Sequence, residues 1–173
     1  MILVLIGYMA SGKSTIGNKL AKKLNYKFID LDDYIKKKEN LSVADIFKSK
    51  GEIYFRKQES HYLNELLQTK GNMILSVGGG TPCYSNNMEL ILQSRFVRSI
   101  YLKASISTLV KNLTKNKNER PLIAHLKTDE SLTEFIGKHL FERISYYSQA
   151  EIQIITDAKS KKEIVEEIVL NLF

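Results

Sequence analysis

The sequence predicts an α/β layered fold built on a parallel sheet, and three observations carry that prediction. Five short apolar runs alternate along the chain with helical segments. The first of these runs stops at a glycine-rich turn that opens directly into a helix. No Gly/Ser-rich tract or internal repeat interrupts the alternation, and the only prolines are Pro82 and Pro121, so residues 1–173 read as one continuous domain.

Each element has its own signature. Ile2–Ile6 is an apolar run ending at Gly7, which suits a buried strand. Residues 13–24 set Ile16, Leu20 and Leu24 on one helical face, with Lys19, Lys22 and Lys23 mostly elsewhere. Tyr26–Asp30 is a second strand. Residues 51–69 read as a long helix with Tyr62, Leu63, Leu66 and Leu67 at apolar positions. Met73–Val77 is a third strand and ends in three glycines. Phe96–Leu102 and Glu151–Thr156 are the fourth and fifth. The final segment opens with Ser160 and Glu163 at capping-box spacing, then aligns Ile164, Val165, Ile168, Val169 and Leu172. Residues 111–127 break the pattern. They hold Lys111, Lys115, Lys117, Arg120 and Lys127 against Glu119 alone, with three asparagines among them. They read as a mobile basic loop, or equally as a solvated helix end.

Composition narrows the class. With 173 residues, 43% hydrophobic and 26% charged, the chain is long enough and apolar enough to bury a core, which disfavours disorder, collagen and coiled coil. Cys83 is the sole cysteine, so an internal disulfide is excluded and a cysteine-based zinc site disfavoured. Ile2–Ile6 is far too short to span a membrane, and no basic segment precedes it as in a secretory signal; a cytoplasmic protein is expected. Lysine and arginine total 26 against 19 acids, a net charge of +7, which favours anionic partners. Nucleic acid and phosphorylated metabolites both satisfy that.

The strongest motif is Gly7-Tyr-Met-Ala-Ser-Gly12-Lys13-Ser14, a gapless G-x-x-x-x-G-K-[ST] between a strand and a helix. Its glycines let the backbone curl so that several N–H groups point at one phosphate, and the helix start adds partial positive charge. Lys13 would reach the β- and γ-phosphate oxygens of a nucleoside triphosphate, and the Ser14 hydroxyl would bind Mg²⁺. Asp30 and Asp32 close the second strand; in extended backbone they fall on one side, where a parallel sheet binds ligands. One could help hold hydrated Mg²⁺ and the other accept a hydroxyl proton; alternatively both simply start the next helix. Gly78-Gly79-Gly80 would let a ligand approach the backbone. Arg56 and Arg143 are each common surface residues, but two guanidinium forks beside a phosphate site suit an acidic small molecule.

Taken together, the chain resembles the shikimate kinases over essentially its whole length. The phosphate loop resembles the family's opening, and Asp30-Leu-Asp32 its paired aspartates. Ser42-Val-Ala-Asp-Ile-Phe47, with Gly51-Glu52 and Phe55-Arg56, resembles its acceptor segment. Gly78–Gly80 matches its triple glycine, Glu119-Arg120-Pro121-Leu122 its lid, and Glu142-Arg143 its late arginine.

The resemblance implies a three-layer α/β/α fold with a five-stranded parallel sheet of the nucleoside-monophosphate-kinase type. It implies an acceptor segment over about 31–60 and a lid over about 111–127. The implied reaction is ATP-dependent phosphorylation of the 3-hydroxyl of shikimate, with Mg²⁺, in the chorismate and aromatic amino-acid pathway. Ala10, Ser11, Gly12, Lys13, Ser14 and Thr15 would bind phosphates, and Ser14 and Asp30 would serve Mg²⁺. Asp32 would contact the reacting hydroxyl as base. Arg56, Gly79 and Arg143 would hold shikimate within Gly78–Gly80, walled by Phe47 and Phe55. Arg120 would reach the phosphates on lid closure. A monomer with shikimate as its small-molecule partner, and neither nucleic acid nor membrane, is expected.

Three departures stand out. Ala10 replaces a frequent glycine and is tolerable if its φ is negative. Lys111-Asn112-Leu113 stands where the family often has an adenine-stacking arginine, and Ser145-Tyr146 where it often has Pro-Leu. Lys159 is a candidate to face adenine; Cys83 is given no role. The rival readings are another small-molecule kinase on the same fold, such as a gluconate-type kinase, and a nucleic-acid-contacting NTP-binding module.

Overall fold

The computed structural model describes residues 1–115, 123, 125, 126 and 128–173. Its five strands are β1 (Ile2–Ile6), β2 (Lys27–Asp30), β3 (Met73–Ser76), β4 (Val97–Lys103) and β5 (Ile152–Ile155). They form one sheet in the order β2-β3-β1-β4-β5, and every pair is parallel. Register is tight at the centre: Leu5 pairs with Ser76 on one side and Ile100 on the other.

The helices that connect them are α1 (Lys13–Leu24), α2 (Leu31–Glu39), α3 (Val43–Leu67), α4 (Asn87–Gln93), α5 (Ile106–Thr114), α6 (Asp129–Tyr147) and α7 (Lys161–Leu172). A short 3₁₀ turn covers Thr81–Cys83. β1 is buried along its whole length, and its side chains alternate between two cores. Ile2, Val4 and Ile6 join residues of α2, α3, α4 and α6; Leu3 and Leu5 join α1 and α7. Three layers follow, with β1 at the middle. α1 lies close on the sheet because Gly17 leaves room: a methyl there would collide with the Phe28 ring.

Local chemistry explains the helix ends. Asp30 caps α2 by accepting from the Asp32 amide at 3.1 Å. Ser160 and Glu163 form the reciprocal capping box expected of the last helix. α3 is two helical stretches meeting at a kink, because Gly51 (φ 83, ψ 169) is not helical; the second stretch is the long helix expected from 51, and the first, from Val43 and capped by Ser42, precedes it. The basic segment expected to be a loop from 111 begins inside α5, which continues to Thr114 with Leu109 and Leu113 buried. Among the described residues no helix is long and apolar enough to cross a membrane.

Candidate active site

The carboxyl ends of β1, β2 and β3 open onto a cleft of about 470 Å³ whose wall includes Lys13, Ser14, Asp30, Asp32, Gly79 and Asn112. A larger hollow, about 780 Å³, lies between α5 and α6 around Ile106 and Val110. It is lined by none of the motif residues.

The donor end of the cleft is the loop after β1. Gly7 must be glycine, since a Cβ there would meet Ser11 Oγ at 2.7 Å and the Leu102 carbonyl at 2.9 Å. The Ser11 amide donates to the Tyr8 carbonyl at 3.2 Å, and Gly12 (φ 95) turns the chain into α1. Ala10 lies at φ 62, in the left-handed region, not at the negative φ expected of it. The sharp turn demands that conformation, and a methyl-bearing residue bears the strain. Its carbonyl accepts from Asn112 Nδ2 at 3.1 Å, so Asn112, at the position where an adenine-stacking arginine was absent, holds the loop from α5. Lys13 Nζ donates to the Gly7 and Tyr8 carbonyls at 2.7 and 2.9 Å. Ser11 Oγ is buried with no hydrogen-bond partner among the described residues, as a donor awaiting a phosphate oxygen would be.

Asp30 and Asp32 do line one cleft, but not by strand alternation. β2 ends at Asp30, and Asp32 stands in the first turn of α2, so helix-start and ligand-side readings are both true. Ser14 Oγ donates to Asp30 Oδ2 at 3.2 Å. A hydroxyl and a carboxylate beside a phosphate loop are the hard oxygen donors that suit Mg²⁺. Among the described residues no group of three or more His, Cys, Asp or Glu could hold a metal alone. Mg²⁺ would therefore take its other ligands from phosphate and water. Burial, then the neighbouring Asp30 and Glu59 carboxylates, push Asp32 up to about 6, with Lys36 and Lys13 opposing.

The acceptor end is assembled from separate segments. The three glycines after β3 make room for side chains from elsewhere. A Cβ on Gly78 would meet Thr81 Oγ1 at 3.0 Å and Glu59 Oε1 at 3.2 Å. One on Gly79 would meet Arg143 Nη1 at 3.5 Å, and one on Gly80 would meet Arg56 Nη2 at 2.8 Å. None of the three has a positive φ; Gly78 and Gly80 provide space, whereas 3.5 Å at Gly79 is an ordinary contact. Arg56 donates through Nη1 to Glu59 Oε2 at 2.7 Å, and Glu52 lies 3.7 Å from its Nε. Glu59 is 1% exposed and also accepts from Thr81 Oγ1 at 2.6 Å. The Phe55 ring beside Arg56 is buried and packs on Phe47 at 4.8 Å between centroids. Arg143 lies over the Tyr8 ring, 5.6 Å from its centroid. Among the described residues Arg143 has no carboxylate within ion-pair distance. The buried Tyr147, one turn further along α6, donates to the Gly79 carbonyl at 2.5 Å.

The family model described as shikimate kinase matches residues 9–173. The chain belongs to the shikimate kinase family. A shikimate kinase of Flavobacterium psychrophilum is 50% identical over 171 residues, covering 99% of this chain and 98% of the relative. The crystal structure of shikimate kinase from Bacteroides thetaiotaomicron superposes with a TM-score of 0.90 at 32% identity, covering 99% and 98% of the two chains. That of Acinetobacter baumannii shikimate kinase in complex with shikimate gives 0.86 at 29%, covering 99% and 92%. Family membership decides against the gluconate-type and nucleic-acid-module rivals.

For a shikimate kinase, several site residues escaped sequence reading. Glu59 stands three residues after Arg56, a spacing that on a helix makes neighbours, and that was its available signal. Tyr8, Thr81 and Tyr147 carried none. Lys159, the candidate to face adenine, pairs through its ammonium with Glu167 at 2.5 Å, and Lys161 lines the cleft. Cys83 is half-buried, and burial pushes its thiol up to about 11, away from a reactive thiolate. Arg120 lies outside the described residues, as do 116–122, 124 and 127 of the expected lid.

Proposed function

We propose that residues 1–173 form one kinase domain that transfers the γ-phosphoryl group of ATP to the 3-hydroxyl of shikimate, releasing ADP and shikimate 3-phosphate. The observation that carries this reading is the arrangement at the cleft, which the phosphate loop, the half-buried Asp32 and Gly79 line, with the Arg143 guanidinium against Gly79 and that of Arg56 against Gly80. The hydroxyl oxygen attacks the γ-phosphorus, the bond to the β-phosphate oxygen breaks, and the hydroxyl proton passes to Asp32. Because the transition state is loose, aiming that oxygen in line matters as much as basicity. Asp32, near 6, is ionised at neutral pH and able to accept the proton.

The backbone of Ala10–Thr15, with Lys13 and Ser11, would cradle the phosphates. Binding would draw Lys13 from the Gly7 and Tyr8 carbonyls toward phosphate oxygen. Ser14 and Asp30 would hold Mg²⁺, which when bound neutralises phosphate charge. Arg56 and Arg143 would grip the shikimate carboxylate as charge-assisted forks, with Gly78–Gly80 beneath and Phe47 and Phe55 walling the ring. Residues 31–60 would carry the acceptor and 111–127 act as lid, bringing Arg120 to the transferring group and excluding water. A monomer in a cytoplasmic setting, without nucleic-acid or membrane partners, completes the reading.

A coupled ADP-release assay with ATP, Mg²⁺ and a panel of hydroxylated acids tests this. Turnover that depends on shikimate is expected; turnover with another acid in its place would overturn the substrate assignment.

A further inference from the structure

Tyr8 is the second residue of the phosphate loop, yet its side chain points away from the nucleotide end and is 2% exposed. Its ring face carries the Arg143 guanidinium, 5.6 Å from centroid to Cζ. Its hydroxyl lies 3.3 Å from His139 Nδ1, and the two rings meet edge to face at 6.4 Å. His139 in turn packs on Phe135 at 4.3 Å. His139 and Arg143 are one helical turn apart on α6, so Tyr8 is held by the same helix that presents the arginine. Burial and Arg143 hold His139 below its usual range, with Glu142 opposing, which favours a neutral imidazole that shares one hydrogen bond with the Tyr8 hydroxyl.

A guanidinium even partly withdrawn from water, as Arg143 is, needs compensation for lost hydration. A carboxylate supplies it by occupying the in-plane N–H donors, as Glu59 does for Arg56. An aromatic face supplies it from above the plane and takes no in-plane donor, so that at Arg143 only the Tyr147 hydroxyl shares the fork among the described residues and no carboxylate does. We propose that Tyr8 is a positioning residue that holds Arg143 by its ring face, so that the in-plane donors stay available to the carboxylate of the acceptor acid, with His139 fixing the ring through the tyrosine hydroxyl. The inference rests on Arg143 as a ligand of that carboxylate.

The test compares Tyr8→Leu and Tyr8→Phe, each in wild-type and Arg143→Ala backgrounds, by steady-state kinetics in shikimate and in ATP. Tyr8→Leu removes the π face and is expected to raise the shikimate KM by roughly 3- to 30-fold, the range of a partly desolvated cation–π contact. kcat and the ATP KM should hold within about twofold, an expected split between the acceptor and donor sides. Tyr8→Phe keeps the face and should recover most of the loss. In the Arg143→Ala background Tyr8→Leu should add nothing. A full additional rise there, or a rise in the ATP KM instead, overturns the inference, because the tyrosine then acts through the loop and not through the arginine. If Arg143→Ala leaves the shikimate KM unchanged, the carboxylate assignment itself has failed. If Arg143→Ala raises it and Tyr8→Leu does not, only the role of Tyr8 has failed. Should Tyr8→Leu not fold, Tyr8→Met, which fills similar space without a π face, carries the same expectations.

Discussion

Arg56 and Arg143 lean over neighbouring glycines of one turn, yet they are secured in opposite ways. Arg56 is pinned by Glu59, a carboxylate 1% exposed that Thr81 also engages. Arg143 rests on an aromatic face with no acid beside it among the described residues. The difference separates two tasks. The Arg56 pair is part of the fold as well as of the pocket, because neither charge can be removed without stranding the other. Arg143, with no carboxylate paired to it among the described residues, is the stronger lure for an anion.

The sharpest way to break that contrast is to compare stabilities. Arg56→Ala leaves Glu59 buried and unpaired and is expected to cost about 3 kcal/mol in denaturant unfolding. Arg143→Ala strands no partner and is expected to cost under about 1 kcal/mol; equal losses would abolish the distinction. Next in size is binding. Arg143→Ala should raise the shikimate KM by roughly 10- to 100-fold, as for a lost charge-assisted contact, with little change in the ATP KM.

A smaller effect lies in pH. With Asp32 up at about 6, kcat/KM for the acceptor should fall about tenfold per unit as pH drops below that value, since the base becomes protonated. Glu59 is one of the charges that raise Asp32, so Glu59→Gln should move the acid limb to lower pH; an unmoved limb would uncouple the Arg56 anchor from the base. The linkage to folding has the opposite sense: a folded pKa above the unfolded one means that stability falls as pH rises from about 4 to about 6. Smallest is Ala10→Gly, which relieves a left-handed alanine and should stabilise by under about 1 kcal/mol. It should leave the shikimate KM alone, because the strain sits at the donor end; a changed KM would join the two ends of the cleft.

The donor end was legible because its chemistry is contiguous. Eight consecutive residues, Gly7 to Ser14, specify a turn whose main chain binds the ligand, and the turn forms where they predict it. The aspartates were placed correctly by the wrong geometry, since Asp32 reaches the cleft from a helix rather than a strand. The acceptor end was legible in its members and not in their partnerships. That Gly80 clears space for Arg56 and that Gly79 lies beside Arg143 follows from packing between segments far apart in the chain. The long helix was legible from 51 onward, and the stretch from Val43 went unread because Gly51 (φ 83, ψ 169) separates the two at a kink.

By itself, the amino-acid order determined the alternating layers, the phosphate loop and the family, because periodicity and local turn chemistry act between residues close in sequence. Tertiary structure alone decided which arginine carries a counter-charge, why Gly78 and Gly80 need to be glycine, and that burial pushes the Asp32 carboxyl up to about 6. Those properties depend on burial and on distances between side chains that only the folded sheet brings together.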